Sequence, residues 1–487
     1  MRAPWQAVRL GCPKPAPVTA VQAPLRAPFA GALAALALAG ALAACDTMPE
    51  RPRTGLGSLA DNTPQVVIAG ETLNGGLLRR FYARHDFAPV WTSRRKQADS
   101  LMAAVLHADD QGLDPDLFHA RLLRHAATLS PFDRELLLSD AFLSYAAALA
   151  GGAVPVARRN EDETLAPEPV DVVAALDKAI DSPDPAAAIA ALAPATPAYR
   201  ALRQALRQCR PAPARGEAGT ANCRRTIAVN LERQRWLPRK PPPERVQVNV
   251  ADERLVYYRD DRPVFSTRVI VGQDAQVNQS PEFRATIDAS FFNPPWVIPR
   301  DIAAKEILPK VRRDPTYLAR NRMVMRADGE IEQQPGPDAG LGLLMFDMPN
   351  RFDVYLHDTP DQSLFRRENR RISHGCIRVQ NPRAFAALLM RQSRDAIDQG
   401  IAQGGTTRHD LPVPVPVFVI YQTASVDPDG TLRFHPDFYD RDAGIWKQLN
   451  SRPRERHAVT QADDRPLSPE SLQVALGAAP SSAERAE

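Results

Sequence analysis

Three consecutive prolines, Pro241 to Pro243, stand where the apolar periodicity of the chain changes, and that change constrains the fold more than any other feature. Ahead of them, Leu77 to Trp91 carries apolar residues at helical spacing, and Ile227 to Trp236 reads as a helix that Pro238 stops. Behind them, Val246–Val250, Leu255–Tyr258 and Phe265–Gly272 alternate as half-buried strands do. A proline run has no backbone N–H to give to a ladder or a helix, so it suits a connection. A chain of 487 residues so divided predicts two or three compact units of α+β class, helical first and strand-rich second. The hydrophobic fraction of 44% is enough to build their cores. Lys and Arg number 61 against 57 Asp and Glu, with no dense basic block, so nothing here points to a nucleic-acid partner.

The first 45 residues read as an export signal. Arg2, Arg9, Lys14 and Arg26 precede a run, Phe29 to Ala44, made only of apolar residues and glycine. Sixteen residues are few for a permanent membrane span, and small residues crowd the end of the run. Leu42-Ala43-Ala44-Cys45 resembles the lipobox of bacterial lipoproteins, which implies lipid on Cys45 and a membrane anchor. An ordinary signal peptide with a chance cysteine is the alternative. Export implies a periplasmic location, at the inner or the outer membrane.

An oxidising compartment makes the cysteines informative. Cys12 leaves with the signal and Cys45 carries lipid. Cys209 and Cys223, 14 residues apart across a stretch rich in Pro, Gly and Ala, are predicted to form a disulfide. Cys376 is then left with no cysteine to pair with, and a thiol kept in such a compartment needs a reason.

Its neighbours supply one. Ser373-His374-Gly375-Cys376 sets the thiol beside a glycine, where the backbone can turn sharply and amides of Gly375 and Cys376 can face a substrate oxygen. Nineteen residues upstream, His357 ends the short apolar run Val354-Tyr355-Leu356. A cysteine at its ordinary pKa of about 8.5 is a few per cent thiolate at neutral pH, and a neighbouring imidazole corrects this by taking the proton. Nucleophile and base are therefore Cys376 and His357.

The run Tyr355 to Pro360, followed by Ser373 to Asn381 (SHGCIRVQN), closely resembles the signature of the L,D-transpeptidase catalytic domain, in the large periplasmic branch with an added helical scaffold. The resemblance implies a mostly antiparallel β catalytic domain with a helical cap, entered at Trp296, after an α-helical scaffold that includes the turn Gln111-Gly112-Leu113-Asp114-Pro115. The organisation expected is a signal over 1–45, a linker over 46–70, a scaffold over 71–236, a catalytic domain over 245–450 with its cap at about 300–342, and a disordered tail over 451–487. Val417–Tyr421 and Leu432–Tyr439 are expected to form a closing hairpin across Pro428-Asp429-Gly430.

The activity implied is formation of 3→3 crosslinks between peptidoglycan tetrapeptide stems through a Cys376 thioester, with release of D-alanine. Water as acceptor gives an L,D-carboxypeptidase, a free D-amino acid gives exchange, and an inactive cell-wall binding lipoprotein is the remaining alternative. No cofactor is implied, and the histidines lack the spacing of a metal site. Carbapenems are expected to acylate the same thiol. By resemblance the backbone carbonyl of Asp358 orients His357 through its second nitrogen. Tyr355, Trp296, Ser373 and Arg378 are candidate substrate contacts. For Tyr355 and Trp296 a core position is the alternative, and for Arg378 a structural ion pair.

Overall fold

The computed structural model describes residues 55–61, 66–209, 216–427 and 430–450. The signal run, Cys45 and the tail from 451 lie outside the described residues. Among the described residues no helix is long and apolar enough to cross a membrane.

Helices build the first unit: α1 (Gly75–Ala83), α2 (Arg95–Leu106), α3 (Pro131–Gly151), α4 (Val172–Ile180), α5 (Pro197–Gln208) and α6 (Gly216–Arg235). Ser130 starts α3 by accepting the Asp133 N–H, and Pro131 takes the first helical position, where no N–H is needed. Leu136, Leu137, Phe142, Leu143 and Leu149 are fully buried along α3, each worth about 2–3 kcal/mol relative to exposure. The helix is therefore the axis of the unit. Gly112, in the turn before Asp114 and Pro115, has the positive φ of a helix end, and Asp114 caps the next turn.

The helical core begins earlier than the sequence indicates. Leu56, Leu59 and Ile68 are buried in it, so residues 55–61 and 66–68 belong to the scaffold and not to a linker. Their apolar side chains are too few to show a period, which is why they read as connection. Cys209, closing α5, is bonded to Cys223 in α6 with Cα atoms 6.2 Å apart.

The second unit is a nine-stranded sheet. Its strands are β1 (Arg245–Asn249), β2 (Arg254–Arg259), β3 (Arg262–Gly272), β4 (Phe283–Phe292), β5 (Leu344–Asp347), β6 (Leu356–His357), β7 (Arg371–Ser373), β8 (Ile377–Val379) and β9 (Thr407–Ile420). They lie in the order β7-β3-β8-β6-β5-β4-β9-β1-β2, and β2 pairs back with β3, so the sheet closes on itself. Most pairs are antiparallel; β6 with β8, β7 with β3 and β9 with β1 are parallel. Val246, Val248, Val269, Val271, Ile287, Leu344, Leu356, Ile377 and Val417 fill the interior with Phe385 and Leu389 of the helix α7 (Pro382–Met390).

Between β4 and β5 the chain leaves the sheet to form the cap. Trp296–Ile298, Met323–Met325 and Ile331–Gln333 make a three-stranded sheet, with short helical turns over 300–320. Ile298, Ile302, Ile307, Met323 and Ile331 give the cap its own small core. The closing hairpin differs from expectation. Ala424–Val426 pairs with Leu432–Phe434, while Val417–Ile420 is spent on β1 and β4 in the main sheet. Residues 435–441 are not strand, and the described residues close with the helix α8 (Asp442–Leu449), which packs on α6.

Candidate active site

Register brings the site together. β6 and β8 run parallel with Leu356 opposite Ile377 and His357 opposite Arg378, and the Ile377 N–H donates to the Tyr355 carbonyl at 3.1 Å. Side chains alternate along a strand, so Tyr355 and His357 share one face with Cys376 and Arg378 of the neighbouring strand. From ordinary strand spacing and rise, His357 and Cys376 are diagonal neighbours two residues out of register, with Cα atoms roughly 8 Å apart. The contacts agree. The rings of Tyr355 and His357 meet edge to face at 5.6 Å, and the Tyr355 hydroxyl faces both the Cys376 sulfur and the Trp296 side chain. The thiol also lies 3.9 Å from the Asp353 carbonyl oxygen.

His357 is buried, with Nδ1 making no hydrogen bond. Its pKa is pushed down to about 3, first by burial and then by the Arg378 guanidinium, against a smaller upward pull from backbone groups of Asp358 and Leu341 that face the ring. The imidazole is thus a neutral base. Arg378 is itself held below the usual arginine range by burial, with Cys376 pulling the other way, and its buried Nε has no hydrogen-bond partner. One cation therefore acts on both members of the pair, favouring a thiolate at Cys376 and a neutral ring at His357. Burial, with Cys376 beside it, holds the Tyr355 phenol well above the ordinary tyrosine range, so the hydroxyl keeps its proton as a donor.

The turn that carries the sulfur is built from inside. Gly375 has φ +117, a conformation that side-chain-bearing residues rarely adopt. Ser373 is buried; its Oγ accepts the Gly375 N–H at 3.2 Å and donates to the Cys376 carbonyl at 2.6 Å. The Ser373 hydroxyl is thus engaged with the backbone of the turn itself, and the Gly375 N–H is directed to Ser373. A short hydroxyl two residues before a glycine hydrogen-bonds local backbone readily, and that is the signal that would have found it.

Asp358 contributes through two groups. Its backbone faces the His357 ring, while its carboxylate accepts N–H groups from Thr359 at 2.7 Å, Leu343 at 3.0 Å and Gln362 Nε2 at 3.1 Å. The carboxylate thus fixes the loop behind the base. Beyond it lies a cavity of about 350 Å³ of mixed lining, which includes Asp358, Leu343, Pro360, Gln380, Arg383 and Arg394. His374 is exposed and pairs with Glu306 of the cap at 2.7 Å, a contact not foreseen from the sequence. Trp296 stands at the foot of the cap, packed against both the sheet core and the cap core. Among the described residues no group of three His, Cys, Asp or Glu side chains could hold a metal ion.

Comparison with known proteins gives this geometry a family. Residues 243–417 match the family model of the L,D-transpeptidase catalytic domain, and residues 76–206 match that of a scaffold domain. The chain carries an L,D-transpeptidase catalytic domain. Its β6–β8 pair and the Cys376 turn fall inside the matched span. A Haemophilus influenzae protein described as a putative L,D-transpeptidase is 29% identical over 247 residues, 46% of this chain and 50% of the relative, so the chain spans about half that relative's length. The structure titled "Structure of the Ldtfm-avibactam carbamoyl enzyme" shares 13% identity with a TM-score of 0.20, covering 38% of this chain and 51% of its own, too low a likeness to bear on the fold.

Proposed function

We propose that this protein is a peptidoglycan L,D-transpeptidase that forms 3→3 crosslinks, with Cys376 as nucleophile and His357 as base. The observation that carries the reading is the common face of β6 and β8, on which Cys376, His357, Tyr355 and Arg378 stand in register beside a glycine turn. His357 takes the thiol proton as sulfur attacks the carbonyl that joins diaminopimelate to the terminal D-alanine of a tetrapeptide stem. The Cys376 amide meets the oxyanion. The C–N bond then breaks, His357 returns its proton to the departing amine, and a thioester remains. The side-chain amine of a second stem attacks that thioester, gives up a proton to His357, and the intermediate expels the Cys376 thiolate. Tyr355 and Trp296 wall the groove, and Arg378 steadies the thiolate. Lipid on Cys45 would hold the enzyme at a membrane facing the periplasm.

Purified disaccharide tetrapeptides incubated with the enzyme and analysed by mass spectrometry decide between acceptors. Dimers that have lost one D-alanine are the expected product, and tripeptides without dimers would show hydrolysis instead. Intact mass after carbapenem treatment should rise by one acyl adduct in the wild type and stay unchanged in Cys376→Ala.

A further inference from the structure

The residue that aims the Cys376 amide lies outside the signature. In a trans peptide the C=O and N–H point in opposite directions, so whatever holds the Gly375 carbonyl also aims the Cys376 N–H. That carbonyl accepts the Ser280 hydroxyl at 2.7 Å, and the Cys376 N–H is accordingly turned to the opposite side of the turn. Ser280 is fully buried and saturated: its Oγ accepts the Gly272 N–H at 3.0 Å, and its own N–H donates to the Tyr439 hydroxyl at 3.1 Å. Tyr439 in turn donates to the Gly272 carbonyl at 2.7 Å. Gly272 stands in register with Ser373 at the base of the same turn.

Ser280 is held from the scaffold side as well. Arg441, buried over the rings of Tyr421 and Tyr439, donates through Nη2 to the Ser280 carbonyl at 3.2 Å and reaches Asp162 of the scaffold at 3.5 Å. The scaffold segment is docked on the next residues by backbone bonds, Glu282 N–H to the Asp162 carbonyl at 2.7 Å and Thr164 N–H to the Glu282 carbonyl at 3.0 Å. A continuous set of hydrogen bonds therefore runs from the scaffold through Arg441 and Ser280 to the peptide that presents the oxyanion donor.

We propose that Ser280 is a positioning residue for acylation, its hydroxyl fixing the Gly375–Cys376 peptide plane so that the Cys376 amide meets the developing oxyanion, with Arg441 and the docked scaffold segment fixing Ser280. This rests on Cys376 being the acylated nucleophile. When a carbapenem is the acyl donor, the sulfur–carbon bond forms, the carbonyl electron pair moves to oxygen, and the oxyanion collapses with cleavage of the lactam C–N bond, whose nitrogen takes the proton from His357. Without the Ser280 hydroxyl the turn keeps both Ser373 bonds, but the peptide plane is free to rotate.

Two reactions of the same sulfur separate positioning from structure. Alkylation by iodoacetamide needs the thiolate and forms no oxyanion; acylation by a carbapenem needs both. In the full chain, Ser280→Ala should keep the wild-type rate and pH profile of alkylation while its acylation rate falls at least about tenfold, since losing an oxyanion donor outright costs about 10²- to 10³-fold. Tyr439→Phe, which loosens Ser280 and leaves its hydroxyl, should show a smaller loss of the same kind, and it decides by the same criterion should Ser280→Ala not fold. Acylation within twofold of wild type, or alkylation falling in parallel with acylation, overturns the proposal. A wild type that is not acylated overturns the assigned function and this inference with it; normal wild-type acylation with an unaffected variant overturns the inference alone.

Discussion

Arg378 projects from β8 onto the face shared by Cys376 and His357, and its charge acts on the two in opposite senses. A cation favours the thiolate and disfavours the imidazolium. Arg378→Gln should therefore raise the midpoint of the pH–rate profile for Cys376 alkylation by about one unit or more, a typical effect of removing an opposite charge at close range. An unmoved midpoint would mean that the guanidinium is screened from the sulfur. His357 makes a second prediction at this scale. With its pKa pushed to about 3 by burial and Arg378, the ring is neutral throughout the working range. The alkylation profile of the wild type between about pH 5 and 10 should then rise through one ionisation, that of the thiol. An additional inflection near the ordinary histidine value of about 6.5 would contradict the buried, neutral ring.

Single elements carry their own devices, and the scaffold's sharpest one is at His119. Its ring is buried between Asp140, which faces Nε2 at 2.8 Å, and Glu71, which faces Nδ1; Asp140 also accepts the Asn74 N–H at 2.7 Å. Burial works against the charge, but the hydrogen bonds of Asp140 and then Glu71 outweigh it and lift the pKa to about 9. A folded-state pKa above the unfolded one gives stability that is complete below about pH 6.5 and lost as pH rises through about 9. His119→Gln should thus unfold at a lower temperature than wild type at pH 6, with the gap closing toward pH 10; a gap independent of pH would refute an imidazolium here. The α5–α6 disulfide closes a 14-residue separation, and its reduction should cost about 3 kcal/mol in the chain-entropy model, readable as a shift of the denaturant midpoint. Elements also show what a sequence can carry. The strands β1, β2 and β3, the helix α1 and the end of α6 were legible from period, while α3, β4 and most of β9 were not, and His357, Cys376 and Gly375 were singled out by residue type and spacing. Strands of two or three residues such as β6 and β8 have no period, so the register that joins the site came only from the structure. Gly342 shows the same limit: a Cβ there would meet the Asp358 carboxylate at 2.6 Å, a close approach between residues 16 apart that no local pattern encodes.

Taken whole, the molecule does not divide where its periodicity divides. Phe418, Ile420, Ala424, Ile445 and Leu449, all downstream of the catalytic turn, are buried in the core of the helical unit. The polar contacts follow the same line: Asn230 of α6 donates to Thr423 at 2.7 Å, and Arg233 of α6, fully buried, pairs with Asp442 at the start of α8. Long-range packing of this kind leaves no mark on either segment's own pattern, which is why the prolines look like a domain boundary and residues 417–439 look like a hairpin. Two consequences can be measured. The chain should unfold in one calorimetric transition with matching calorimetric and van't Hoff enthalpies, because the core of the helical unit is completed by residues of the second unit. Two separated transitions would mean that the interface is only a contact between independent domains. Arg233→Met, which strips Asp442 of its buried partner, should destabilise that single transition by about 3–5 kcal/mol, and Arg233→Met with Asp442→Leu should recover much of the loss, since a buried charge left alone costs more than an apolar pair in its place. The acylation rate of Cys376 in the same variants then links the two halves. If α8 holds Arg441 against Ser280, the rate should fall in Arg233→Met below its melting transition and return in the double variant, whereas a rate indifferent to both would confine the interface to stability.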